Sequence, residues 1–327
     1  MNIPKELLEK LRQPYIEELE KFIEKEIDSV FRIKSKKLQE TKDGKKFLLL
    51  TLEDRTGSIR AIDWYNAERN DQILQTGTVV SVTGKVVYFD ERLQINISNS
   101  ETAIKKLSES EYDIERFVSK AKNSEEMFNE LLNMVNSVKD KDFRKLLNAF
   151  FVDDRSFVEA FKNAPAGMRI HHAYMGGLLE HSLNVAKIVE QVCALYSQLD
   201  RDLLITGALL HDIGKVKEYI ITQRGIEVTT EGELLGHTII GIEYIDKKAH
   251  TIPYEKMLKL KHLIASHHGE LEWGAPVVPK TAEALVLHYI ENMDSKINRV
   301  FQIIEREDDG KEWSEYDTNL SRRFLLK

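Results

Sequence analysis

RDLLITGALLHDIGK, residues 201–215, is a mostly apolar helical stretch that runs into an adjacent His211-Asp212 pair and stops at Gly214. It reads as a buried helix whose end carries two metal-binding side chains. Neighbouring residues on a helix point about 100° apart, so one cation draws on both only where a helix end faces it from above. Gly214 is read as the glycine that terminates the helix there. An imidazole and a carboxylate together make a mixed nitrogen and oxygen shell. That shell suits Mn, Fe, Co, Ni or Zn better than Mg or Ca, which favour oxygen alone.

The rest of the chain supports this centre on one side only. All ten histidines lie between His171 and His288, and the first 170 residues hold none. His181 falls on the helical stretch HHAYMGGLLEHSLNVAKIVEQVCALY, and Asp294 on TAEALVLHYIENMDSKINRVFQIIE. His181, His211, Asp212 and Asp294 are therefore the first expected ligands. His237, after Gly236, and the doublet His267-His268 form a second layer that one ion does not need. A second divalent transition-metal ion would draw on them, with Asp212 between the two. Paired cations hold the attacking and leaving oxygens of a phosphodiester and acidify a bound water. The competing reading makes the second-layer histidines donors to substrate phosphate. Asp212 and Lys215 are the expected catalytic residues, with Lys215 a phosphate clamp four residues after His211. His171 and His172 stand too far before His181 to share its metal by helix geometry; with Arg169 they either line a substrate channel or simply begin the helix. His250, His262 and His288 have no motif around them and read as solvated or core residues.

The first half has a different pattern. Residues 4–26 carry Leu7, Leu8, Leu11, Tyr15, Ile16, Leu19, Phe22 and Ile23 at helical spacing. From Ser29 to about Ile104 the chain reads as five short strands, with a short helix, NAERNDQIL, between the third and fourth. That order is an OB-fold barrel, and Gly84 within the fourth strand suits a barrel bend. Between residues 31 and 107 there are 14 Lys/Arg against 10 Asp/Glu, although the whole chain carries a net charge of -7. Alternation along the first strand predicts Arg32, Lys34 and Lys36 on one face. With Trp64 and Tyr88 near strand ends, they supply the basic groups and aromatic platforms that single-stranded nucleic acid requires.

The chain thus reads as multidomain. An N-terminal helix at 1–26 and an OB-fold at 27–107 are followed by a helical linker at 108–164. An all-α bundle with a small β-hairpin, turning at Arg224-Gly225, occupies 165–305, and a tail 306–327. No apolar run approaches the roughly 20 residues of a membrane span, and the charged N-terminus is unlike a secretory signal. The lone Cys193 forms no intramolecular disulfide and reads as a small buried hydrophobe. A cytoplasmic location is the default expectation.

An early His, an adjacent His-Asp and a late Asp, all on helices, resemble the HD superfamily of metal-dependent phosphohydrolases, most closely in LLHDIGK and LEHSLNVA. Joined to an OB barrel, and with TTEGELLGH, SHHGELEWGAP and LHYIENMDSK, the chain resembles YhaM-type 3′–5′ exoribonucleases over nearly its whole length. The resemblance implies a metal-dependent enzyme with two divalent transition-metal ions, often manganese, the second drawing on His237, His267 and His268; it shortens single-stranded RNA, or DNA, to nucleoside monophosphates, and polarity rests on the resemblance alone. A homo-oligomer is expected, with residues 4–26 the departure that bears on its contacts. Two rivals stand beside this reading. One is a cyclic-dinucleotide or nucleotide phosphodiesterase of the HD class, against which LEWGAP replaces the Gly-Tyr-Pro run. The other is a single-strand-binding factor without catalysis.

Overall fold

The structure is a computed structural model that describes residues 13–168, 172–222, 224–249, 252–307 and 311–326. The chain divides into two compact units, Met1–Ser119 with Ile221–Gly225, and Lys120–Ile220 with Ile226–Lys327.

The first unit is a closed barrel. Its strands are β1 (Glu26–Glu40), β2 (Lys46–Asp54), β3 (Gly57–Asp63), β4 (Val79–Phe89) and β5 (Arg92–Ile97), with helix α1 (Ala67–Ile73) between β3 and β4. They pair in the order β1-β2-β3-β5-β4, and β4 returns to β1 to close the ring; β6 (Ile104–Lys106) extends it from β4. Closure needs β4 to serve two partners, and Gly84 lies at that place, opposite both Ile27 and Ile97. A Cβ there would lie 2.7 Å from the Asn96 carbonyl oxygen, so the crossing admits only glycine. Phe31, Ile33, Leu48, Leu50, Leu52, Val82 and Ile95 fill the interior without exposure.

Two expectations about this unit change. Among the described residues, the N-terminal segment is not an α-helix to residue 26. It is a 3-10 helix, Ile16–Phe22, whose Leu19 caps the barrel core before β1 starts at Glu26. Arg116 secures this cap, donating to the Pro14 carbonyl at 2.6 Å and the Val30 carbonyl at 2.5 Å while lying over the Tyr15 ring. Residues 1–12 lie outside the described residues. The second change concerns β1. Its register against β2 shifts between Ile33 and Ser35, so Arg32 faces Glu53 but Lys36 faces the buried Leu50. One inserted residue reverses the period-2 alternation, and Arg32 and Lys36 do not share a face.

The second unit is helical: α2 (Ser124–Ser137), α3 (Lys141–Phe151), α4 (Arg155–Asn163), α5 (Gly177–Leu195), α6 (Arg201–Leu210), the short α7 (Lys215–Glu218), α8 (Thr230–Lys248), α9 (Tyr254–Ser266) and α10 (Ala282–Glu307). The hairpin β7 (Tyr219–Thr222) and β8 (Gly225–Val228) interrupts them where the turn signal stood. Residues 124–163 are no linker. Phe128, Leu131, Phe143, Phe150 and Phe161 share one core with Leu179, Leu204, Leu263 and Leu287 of the later helices. Aspartates cap α3, α4 and α6, each accepting from the first-turn backbone. In the tail, Asp317 is held by Arg299 of α10 at 2.7 Å.

Candidate metal centre

Helix α6 is buried on all sides, from Leu203 to Leu210, and delivers His211 and Asp212 at its end as expected. Gly214 acts differently from its predicted role. Its backbone is right-handed, with φ -64°, so it is not a left-handed cap. It is glycine because the chain of α8 touches it: a Cβ would lie 1.9 Å from the His237 carbonyl oxygen. A second glycine sets His237 itself. Gly236, at φ 68° and ψ 155°, breaks α8, and the His237 backbone N–H then donates to Glu218 at 3.0 Å. His267 ends α9, and the buried His288 holds the doublet by donating from Nδ1 to the His267 carbonyl at 2.9 Å. Gly269, at φ +80°, would place a Cβ 2.2 Å from the His288 ring.

Four imidazoles aim Nε2 at one carboxylate. His181 and His211 stand 3.6 and 3.4 Å from Asp212 Oδ2; His237 and His267 each stand 3.5 Å from Oδ1. These separations are long for hydrogen bonds. They suit two ligands of one cation, because atoms each about 2.1 Å from a metal at a tetrahedral angle lie about 3.4 Å apart.

The other ring nitrogens fix the tautomers. His211 Nδ1 lies 2.8 Å from the Ala208 carbonyl and His267 Nδ1 lies 2.7 Å from the Ile264 carbonyl. A carbonyl only accepts, so Nδ1 carries the proton in both. His181 Nδ1 donates to Asp294 at 2.7 Å, and His237 Nδ1 to Glu218 at 2.9 Å. Each Nε2 then presents a lone pair inward, and those of His181 and His211 face each other at 3.1 Å. Asp212 Oδ1 and His267 Nε2 are buried without a hydrogen-bond partner. Opposed lone pairs and unpartnered buried acceptors are costly unless positive charge sits among them, so these residues fit a pair of cations.

Burial and charge act differently on the individual rings. Burial pushes His181 and His267 down to about 4, leaving the neutral imidazoles that metals bind. His268 is lowered to about 2 by burial and by its neighbours His267 and His237. Burial also opposes the His211 imidazolium, yet the Asp212 charge raises its pKa above the usual value. Burial opposes the Asp212 carboxylate too, but Lys215 and His211 hold it well below the ordinary range. Lys215 is almost fully buried, its Nζ 2.6 Å from Asp212 Oδ2.

Among the described residues, side chains that could hold metals gather in three groups: His181 with His211 and Asp212, His237 with His267 and His268, and His172 with His181 and Asp294. His181 is common to two of them, and Asp294 is brought beside it and His172. His172 does not begin a helix. α5 starts only at Gly177, and left-handed backbone at His172 and Gly176 folds the loop back. His172 Nε2 reaches Asp294 at 2.9 Å, and its Nδ1 pairs with the Tyr174 hydroxyl at 2.8 Å. Arg169, His171 and His250 lie outside the described residues.

Sequence reasoning missed Glu291. It is buried on α10 one turn before Asp294, and burial and the Asp212 charge push its carboxyl up to about 7. An acid four residues after the buried Leu287 and next to the buried Ile290 was the available signal. Glu218 was missed too, three residues after Lys215.

On the barrel, Arg32 is paired with Glu53 at 2.8 Å and Lys36 with Asp71 at 2.9 Å, while Lys34 reaches solvent. Trp64 packs on Phe47, and Lys45 lies over both Trp64 and Tyr65 beside a cleft lined by Lys46, Asn66 and Arg69. Tyr88 and Phe89 are both more than half exposed at the end of β4.

Comparison with known proteins agrees with both units. Residues 178–306 match the HD domain family and residues 30–102 an OB-fold nucleic acid binding domain family; residues 115–200 also match a family described as a putative helicase. The chain is 35% identical to the 3′-5′ exoribonuclease YhaM of Bacillus subtilis (strain 168), over 92% of this chain and 95% of that one. It is 32% identical to the protein of the same name from Listeria monocytogenes serotype 4b (strain F2365), over 91% and 93%. Among solved structures, the second OB-fold domain of replication protein A from Methanococcus maripaludis matches at 28% identity, over 30% of this chain and 97% of that one, with a TM-score of 0.23.

Proposed function

The chain belongs to the YhaM family of 3′-5′ exoribonucleases, and on that premise we propose that it removes nucleoside monophosphates from the 3′ end of single-stranded RNA, at a centre of two divalent transition-metal ions. The observation that carries the reading is the set of inward lone pairs around Asp212, with Asp212 Oδ1 and His267 Nε2 buried and unpartnered. His181, His211 and Asp212 Oδ2 would hold one ion; Asp212 Oδ1, His237, His267 and His268 the other. Two such cations, when bound, supply Lewis acidity at the phosphodiester and a water acidic enough to attack at neutral pH.

The chain's own residues do the remaining work. Asp212 divides one negative charge between the two subsites and orients both. Lys215 holds Asp212 ionised and supplies a cation that neutralises charge gathering on the phosphoryl oxygens. Glu291 is buried close enough to Asp212 for that charge, with burial, to raise its pKa, and Ser295 donates to it at 3.1 Å. Among the described residues, no serine or cysteine side chain is hydrogen-bonded here to a histidine ring that could act as its base. The exposed Tyr88, Trp64 with Lys45, and Lys34 are the proposed contacts for bases and backbone on the barrel. Manganese as the metal, RNA over DNA, a homo-oligomeric state and a cytoplasmic location belong to the same proposal; no helix of the described residues is long and apolar enough to cross a membrane.

A 5′-labelled RNA oligonucleotide tests it. The wild type with Mn²⁺ produces a ladder shortening from the 3′ end, and His211→Ala/Asp212→Ala produces none. Undiminished cleavage by that double variant removes the reading.

A further inference from the structure

Helix α10 turns one face to the metal centre and another to solvent. Along the second face run Leu285, Tyr289, Met293, Ile297 and Phe301, large apolar side chains spaced four residues apart and each between 42% and 64% exposed. Residues four apart are neighbours on a helix surface, so these five form one continuous ridge about 24 Å long. Among the described residues, no other helix exposes more than three large apolar side chains. Trp273 widens the patch on one flank: it is half exposed, with the Lys296 ammonium 5.6 Å from its ring centre. We infer that this ridge is the contact between two copies of the chain, packed across a two-fold axis that passes beside Met293. The inference rests on the homo-oligomeric state proposed above and is independent of the catalytic reading.

Area, charge and shape each bear on the occupant. The five side chains leave roughly 500–600 Å² in water, the upper end of what a monomer exposes in one patch. Two copies joined there bury roughly 1,000–1,200 Å² from the ridges alone, and the exposed Leu271 and Trp273 beside them bring the sum into the ~1,200–2,000 Å² range of a stable interface. Charge argues against nucleic acid. Among the described residues, Lys296 and Glu305 are the charged side chains exposed along α10, and Lys296 lies across Trp273. A phosphate backbone needs a row of cations that this face does not offer. The centres of protein interfaces are instead poor in charge and rich in aromatic residues and Met. Shape argues for a second copy. Ridges built from rows of residues four apart interdigitate when two helices cross at about -50°, so a helix with one such ridge fits its own duplicate. With the copies antiparallel about Met293, Tyr289 meets the second copy's Ile297 and Leu285 its Phe301. Each aromatic ring then faces an aliphatic side chain, and Met293 meets itself, where a flexible thioether adapts to the axis.

Sedimentation of the full chain from nanomolar to micromolar concentration tests this, with circular dichroism to verify folding. The wild type sediments as two copies or a multiple of two. Ile297→Asp/Phe301→Asp buries unpaired carboxylates in the contact and raises the dissociation constant about 100-fold or more, while the fold is kept because neither side chain belongs to the core. A second variant reads the axis itself. Met293→Cys, in a Cys193→Ser background, forms a disulfide-linked pair when oxidised with diamide, because Cα atoms beside the axis lie within the ~4.4–6.8 Å that a disulfide spans. Leu258→Cys, exposed on α9, does not link in the same background. The inference falls if the wild type is monomeric throughout, if the charged double variant associates as tightly as the wild type, or if Met293→Cys links no faster than Leu258→Cys. An oligomer that the double variant leaves intact sinks this interface and spares the homo-oligomeric state. Digestion of labelled RNA by the same samples bears on the catalytic reading alone, so a monomer that still shortens RNA refutes the interface and not the activity.

Discussion

Replacing Gly214 by alanine divides the two subsites without replacing a ligand side chain. The added Cβ would lie 1.9 Å from the His237 carbonyl oxygen, 2.7 Å from its carbon and 2.8 Å from the Gly241 nitrogen. All three are backbone atoms, so no side chain can swing away. Restoring a tolerable contact of about 3.2 Å opens the α7–α8 contact by about 1.3 Å, at a cost of about 1–3 kcal/mol in stability. His237 moves with α8, and its Nε2 withdraws from the present 3.5 Å to Asp212 Oδ1 to nearly 5 Å, beyond what one cation spans. His181, His211 and Asp212 precede the inserted atom and keep their own supports, Asp294, Ala208 and Lys215. The expected Gly214→Ala protein is folded, binds one Mn²⁺ where the wild type binds two, and cleaves RNA about 100-fold more slowly, the loss typical of misplacing a catalytic group by about 1 Å. Calorimetric titration and the labelled-RNA ladder read both numbers. A variant that binds two ions at wild-type affinity and cleaves at the wild-type rate refutes the claim that this glycine sets the second subsite.

Four further outcomes follow from the same geometry. In the metal-free protein His181 and His267 titrate near 4 when folded but near 6.5 when unfolded, so the unfolded chain takes up protons first as pH falls; stability present above about pH 6.5 is lost toward pH 4, on the order of 3 kcal/mol for each, and denaturant melts across that window check it. Glu291 works in the opposite direction, with a folded pKa raised to about 7, so stability present below its unfolded pKa of about 4.5 is lost as pH rises through 7, and Glu291→Gln should raise the melting midpoint of metal-free protein at pH 8. Arg116→Met leaves the Pro14 and Val30 carbonyls buried without their donor, and urea unfolding of the variant should show about 2–4 kcal/mol lost from the barrel. Tyr88→Ala should weaken binding of a single-stranded oligonucleotide by about 1–3 kcal/mol in fluorescence anisotropy while leaving Mn²⁺ affinity unchanged.

The sequence shows the fold because each unit is dominated by one period. The barrel strands alternate and the later helices carry apolar residues at helical spacing, so strand count, the helix after β3 and the hairpin at Gly225 were all readable. What escaped were the places where one residue breaks the period. Lys34 is inserted in β1 and nothing in FRIKSKK marks it, because a bulge is a choice made by pairing with β2. Residues 124–163 read as polar helices and so as a linker. Their phenylalanines belong to the core shared with α5–α10, and only the partner helices make that visible.

In the centre, the ligand types were legible and their supports were not. Histidines and acids declare themselves by chemistry, so His181, His211, Asp212, His237 and the doublet stand out in any reading of the chain. Which acid touches a metal and which holds an imidazole from behind depends on a ring's orientation, and orientation is a tertiary property. Asp294 and Glu291 lie one helical turn apart and look interchangeable on paper. The fold sets Asp294 against the rings of His181 and His172 and places Glu291 where burial and the Asp212 charge raise its pKa. Glu218 looks like a surface residue of a charged stretch, KVKE, yet it is buried and determines where His237 points. The supports are spread over a loop, a short helix and the far side of α10. The same cation site is therefore sensitive to substitutions, such as at Gly214 and Glu218, that no inspection of ligand types would single out.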